Sequence, residues 1–176
     1  MEITSSLDAR TRAAWRAWLA EHHASAKEIW LLLQKEPGTV TYLDAVEEAL
    51  CFGWIDSTAE RVGDASAQRF SPRRPRSGWT ELNKERARRL IARGLMTEAG
   101  RRTLPDLSDL SVRVADDVRA RLDAAGAWET FAGFPELYQR VRLSYVEEVR
   151  RRDPAAFETR LANLVEKTRR GTMFGN

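Results

Sequence analysis

The order strand, helix, strand, turn, strand in residues 1–105, with helical patterning afterwards, predicts an α+β fold. The expected architecture is a small three-stranded sheet packed with helices, followed by a helical C-terminal region over residues 106–176. Three observations carry this. Residues 29–33 are a short continuous apolar run ending at the turn residues Pro37 and Gly38. Residues 54–60 and 67–71 face each other across a turn at Gly63 and Asp64. The remaining apolar residues recur at three- and four-residue spacing.

In order along the chain, the first helix is expected over residues 8–23. Ala14, Trp15, Trp18 and Leu19 share one face, arginines lie opposite, and Asp8 serves as the N-cap. Thr41 with Asp44 three residues on is a helix-start signal, and Leu43, Val46, Ala49 and Leu50 form the buried face. Gly53 ends that helix. Pro72 and Pro75 prevent regular pairing, so residues 72–76 are extended or loop-like. A helix then runs from about residues 77–80 to Gly94, and a shorter one starts at Thr97. The boundary between the two regions is placed near Leu104 and Pro105. One helix covers about residues 115–125 and stops at Gly126. Another follows Pro135, with Leu137, Tyr138, Val141, Tyr145 and Val149 as its buried residues. Asp153 and Pro154 open the last helix as N-cap and first helical residue, and Phe157, Leu161, Leu164 and Val165 face its core.

At 176 residues, with 43% hydrophobic and 31% charged, the chain suits one domain with a helical appendage forming a single compact unit. Its net charge of +3 comes from an arginine excess spread over every segment, which speaks to solubility rather than to a nucleic-acid partner. Cys51 is the only cysteine, so an intrachain disulfide is excluded. No apolar run is long enough to span a bilayer and no secretory pattern opens the chain. The expected location is cytoplasmic.

Most chemistry-bearing residues have an ordinary structural purpose. His22 and His23 are adjacent at a helix end, where the macrodipole favours them and where they do not form a metal pair. Cys51 has no histidine near it in sequence to act as base. Zinc-type spacings and glycine-rich phosphate loops are missing, so no metal, cofactor or catalytic residue is expected. Asp44, Glu47 and Glu48 read as acids stabilising a helix N-terminus.

Two features stand above this background. Asp56 and Ser57 lie in an otherwise apolar strand that begins with Trp54. The carboxylate must turn to solvent, pair with a cation such as Arg69, or contact a ligand. In residues 69–79, Arg69, Arg73, Arg74 and Arg76 sit among prolines just before a helix start, with Phe70 and Trp79 near the ends. Forked donors beside backbone N–H groups favour an anion. The alternative is a basic loop bonded to surface acids such as Glu81 and Glu85. Arg74 and Arg76 are the expected anion contacts, Trp54 and Trp79 the walls, and Asp56 the group orienting an arginine. Ser57 and Asn83 complete the candidate set.

The stretch Glu47 to Ser57, then Phe70 to Ser77, Trp79, Asn83 and Gly94 to Thr97, resembles the YdeI/OmpD-associated family, also called bacteriocin-protection proteins. Trp128 to Phe131, Phe134 and Pro135, Leu137 to Arg140, Arg160 and Leu161, and Gly171 to Gly175 carry the resemblance through the helical region. The resemblance implies an α+β fold grouped with YjbR and CyaY-like proteins. By name it also implies resistance to bacteriocins or cationic peptides and an outer-membrane partner. No catalytic residue comes with it. Three functions follow as expectations. The first is a non-enzymatic protein binding an anionic small molecule or nucleic acid. The second is an enzyme on a small polar substrate using Asp56. The third is a protein-interaction module whose C-terminal helices display Phe131, Phe134 and Tyr138 to a protein partner.

Overall fold

The computed structural model describes residues 5–75 and 77–174, and these form two compact units. One holds residues up to 78 together with 85–107. The other holds 79–84 and 108 onward.

The first unit is α+β. Its strands are β1 (Ser6–Leu7), β2 (Ile29–Leu33), β3 (Trp54–Val62) and β4 (Ala65–Pro72), in sheet order β1-β2-β4-β3. The expected three-stranded sheet therefore has a fourth, β1, paired parallel to β2 over Ser6 and Leu7. Two residues are too few for a sequence period to mark, so their pairing is visible only in three dimensions. The other pairs are antiparallel, with Trp30 opposite Arg69 and Asp56 opposite Phe70.

Helix α1 (Arg12–His22) starts later than expected. Thr11, not Asp8, is the N-cap, its hydroxyl accepting from the Ala14 N–H at 3.1 Å. Helix α2 (Tyr42–Cys51) begins with the expected capping box, Thr41 and Asp44 each accepting from the other's backbone. Gly53, at φ +75°, turns the chain from α2 into β3. Trp15 packs on Phe70, and Trp18 stacks on Trp15 and meets Trp54 edge-on, so α1 covers the sheet face that bears Phe70 and Trp54.

Helix α3 (Glu81–Ala92) belongs to this unit from Glu85 onward, and its first turn belongs to the other. The short α4 (Glu98–Arg101) is tied to the end of α2, the Thr97 hydroxyl and N–H both donating to the Cys51 carbonyl at 2.5 and 3.1 Å.

The buried face of α2 differs from its sequence reading. Leu43 is exposed, while Glu48 lies inside. A carboxylate is tolerated there because two arginines of α1 neutralise it. Arg12 donates to Glu48 at 2.6 Å, to Asp44 at 2.6 Å and to Glu47 at 3.0 Å, and Arg16 donates to Glu48 at 2.5 Å. The three acids thus clamp α1 to α2 as well as favouring the helix start. Burial pulls the Arg12 guanidinium down, and the three carboxylates outweigh it and hold it well above its ordinary value.

The second unit is helical, with α5 (Asp116–Ala124), α6 (Trp128–Ala132), α7 (Glu136–Glu147) and α8 (Pro154–Arg169). Val118, Leu122, Phe131, Leu143, Val146, Leu161 and Leu164 form its core. Asp153 caps α8 as expected, accepting from the Ala156 N–H at 2.9 Å. Of the core positions expected on the helix after Pro135, only Val149 is fully buried. Tyr145 is exposed and Leu137, Tyr138 and Val141 are half-buried, whereas Gln139 and Arg140 are buried on α7. Their polar ends satisfy carbonyls, Gln139 donating to Ala132 and Phe134 and Arg140 to Leu110 at 2.9 Å. A hydropathy period cannot anticipate polar residues facing inward on such terms. On α8, Thr168 rather than Val165 continues the buried stripe.

Candidate functional site

Strand β3 is an edge strand, and its pairing with β4 breaks between Asp56 and Ala59. Ser57 and Thr58 bulge there, and their carbonyls accept from the buried Gln68 side chain at 3.3 and 3.2 Å. Residues directly opposite in an antiparallel pair share a face, so Asp56 lies on the helix-covered side with Phe70. Arg69, the next residue of β4, alternates to the other side.

The expected Asp56–Arg69 pair is therefore corrected. Arg69 instead donates to Glu28 through Nε at 3.1 Å and through Nη2, and to the Ser57 hydroxyl at 3.2 Å.

Asp56 meets Tyr42, the first residue of α2, whose hydroxyl donates to Oδ2 at 2.7 Å. Burial, reinforced by that bond, pushes the Tyr42 phenol up to about 12. Two arginines feel the same carboxylate. Arg73, just past β4, is buried; its N–H bonds the Gly53 carbonyl at 2.9 Å and its guanidinium the Gly78 carbonyl at 3.2 Å. Burial pulls Arg73 down to about 10, against the attraction of Asp56, so it remains charged at neutral pH. Arg86 on α3 is half-buried and likewise pulled down by burial, with Tyr42, Glu47 and Asp56 opposing. The last paired residue of β3 before the bulge, the start of α2, the residue after β4 and the middle of α3 thus supply Asp56, Tyr42, Arg73 and Arg86 to one electrostatic cluster.

The other expected site residues are placed differently. Trp54 is buried, its indole N–H donating to the His23 carbonyl at 3.1 Å, so it belongs to the core and cannot wall a surface site. Ser57 and Arg74 are exposed. Arg76 lies outside the described residues. Trp79 and Asn83 belong to the helical unit, where the Asn83 N–H donates to the Thr80 hydroxyl at 3.2 Å. Glu81 and Glu85 bond cations of their own helix, Lys84 at 2.6 Å and Arg88 at 3.1 Å. Phe131 is fully buried, with Phe134 and Tyr138 half-buried behind it, so these three do not form the exposed patch that the interaction reading required.

Tyr42 and Arg86 carried no signal in the sequence, since neither lies in a motif and only the fold brings them to Asp56. Cys51 is buried, and burial raises its thiol against the pull of Arg16, which suits a structural residue. His23 holds the Leu19 carbonyl through Nδ1 at 2.9 Å, at the end of α1. Among the described residues, no group of three or more His, Cys, Asp or Glu is placed to hold a metal ion. None of the described helices is long and apolar enough to cross a membrane.

The fold defines a small α+β protein with a helical second unit, and Tyr42, Asp56, Arg73 and Arg86 interact beside the edge strand of its sheet. Residues 7–103, more than half of the chain, match the family model described as a domain of unknown function, DUF8412, and the chain belongs to that family. Residues 111–171 match the family model described as bacteriocin-protection, YdeI or OmpD-associated, which bears out the resemblance over the helical unit. No curated protein and no solved structure matches the chain.

Proposed function

We propose that this protein is a non-enzymatic binding protein that holds a small anion at the cluster of Tyr42, Asp56, Arg73 and Arg86. The carrying observation is that two arginines, both desolvated by the fold, feel the charge of a single carboxylate already engaged by Tyr42. Glu47 also acts on Arg86, but it is bonded to Arg12 at 3.0 Å and to Arg89 at 3.5 Å. A phosphate or carboxylate ligand adds the negative charge that this cluster favours, and forked guanidinium donors bind such groups in a fixed geometry. The direct contact falls to half-buried Arg86, with Arg74 at the exposed rim and buried Arg73 adding its charge from behind.

A role in bacteriocin or antimicrobial-peptide resistance rests on the name of the family matched by residues 111–171. An enzymatic use of Asp56 is less well supported. Its hydrogen-bond partner, the Tyr42 phenol, is pushed up to about 12, too high for ready proton exchange near neutrality.

The test is thermal unfolding with inorganic phosphate, citrate, ATP and a short single-stranded oligonucleotide at two salt concentrations. A ligand present at ~100 times its dissociation constant adds roughly 2.7 kcal/mol. Stabilisation by one of the small anions, weakened by salt and lost in Arg86→Gln, supports the reading. Stabilisation by the oligonucleotide alone moves the ligand class to nucleic acid, and an equal shift in wild type and Arg86→Gln refutes the site.

A further inference from the structure

The helical unit has a cleft of its own, of about 220 Å3, lined by Glu81, Lys84, Ser111, Arg140, Leu143 and Ser144 among others. Its charged groups are unequally satisfied. Lys84 and Glu81 Oε1 bond each other at 2.6 Å, and Arg113, Ser111 and Asp109 close on one another in a turn. Arg140 is different. Its side chain is only 8% exposed, yet among the described residues it makes one hydrogen bond, from Nη1 to the Leu110 carbonyl, beside a long ion pair to Glu136 at 3.9 Å. Its Nε and Glu81 Oε2 are both buried without a hydrogen bond, 3.7 Å apart. That gap is an ion pair too long to be a hydrogen bond, and a buried charge left so costs more than its Coulomb attraction returns.

We propose that this cleft binds a small zwitterion of the α-amino-acid class. The ligand's carboxylate would be held by Arg140, and its ammonium by Glu81 with the Ser144 hydroxyl beside it. A purely anionic ligand would meet Glu81, and a purely cationic one Arg140, so the lining selects against both. The volume is below the range usual for drug-sized ligands, which suits a single amino acid. The cleft is made by residues of the helical unit alone and is independent of the Tyr42 cluster.

Calorimetric titration of the full chain with each of the common free L-amino acids tests this, followed by the carboxamide and the N-acetyl derivative of the tightest. Saturable binding by at least one amino acid is expected, weakened about tenfold or more, roughly 1.4 kcal/mol, by removing either charge. Arg140→Lys keeps the positive charge but loses the fork and should weaken binding comparably. Should that variant fail to fold, Ser144→Ala at the half-buried wall should still weaken binding. No saturable binding at about 10 mM of any amino acid, or undiminished binding by both derivatives, overturns the proposal.

Discussion

Glu48 is the residue on which the α1–α2 contact turns. Its side chain is 4% exposed and is shared by Arg12 and Arg16. Removing one partner of a fully buried pair costs roughly 3–5 kcal/mol, and water reaches these partly exposed arginines, so Glu48→Ala should cost about 2–3 kcal/mol. Urea denaturation measures this, and a loss under about 0.5 kcal/mol contradicts the clamp. Asp44, in the same clamp, governs the acid limb. Burial pushes its carboxyl up, and the bonds from Thr41 and Arg12 outweigh that and hold it below the ordinary range. A depressed carboxylate contributes stability above its ordinary pKa and loses it as pH falls through the folded value. Stability should therefore decline between about pH 5 and pH 2, and Asp44→Asn should flatten part of that decline. An identical acid profile in the variant contradicts the assignment. At the opposite end, the Tyr42 phenol should ionise near 12, and Tyr42→Phe should abolish that step in an absorbance titration. A late step that survives the substitution places it elsewhere. The Thr41–Asp44 bond was legible in sequence, but the arginine clamp and the Tyr42–Asp56 pair were not, because helix and strand packing joins them rather than spacing.

Elements were more legible where a cap or a turn states its own boundary. Thr41 with Asp44, Gly53, the Gly63–Asp64 turn, Thr97, and Asp153 with Pro154 all mark what the structure contains. Boundaries failed where two residues competed for one role, as Asp8 and Thr11 did for the cap of α1. Buried faces failed where polar side chains lie inside, as on α7. The contact of α4 with α2 offers a sharp test. An added Cβ at Gly100 would fall within hard contact of the Cys51 carbonyl and 2.5 Å from Met96 Sδ. Gly100→Ala should thus cost about 1–3 kcal/mol through overpacking. Gly63, in the β3–β4 turn, has positive φ but open space around it, so Gly63→Asn should cost little. Equal melting temperatures for Gly100→Ala and wild type would contradict the close packing of α4 on α2.

For the whole molecule, the α+β class and the helical C-terminal region could be read from periodicity, and the two family matches fall on these two stretches in turn. The fourth strand could not, being two residues of parallel pairing. The candidate site was half legible. An arginine-rich segment next to Asp56 was visible, but strand alternation sent Arg69 to the wrong face, burial removed Trp54, and the fold supplied Tyr42 and Arg86 instead. The central claim is that the cluster around Asp56 binds a small anion, and the most direct test is calorimetric titration of inorganic phosphate, citrate and ATP into wild type and Arg86→Gln at low and high salt. The account predicts saturable binding of at least one of them to the wild type, weakened by salt and reduced about tenfold or more in the variant. No saturable binding of any of the three, or equal affinity in both proteins, would contradict it.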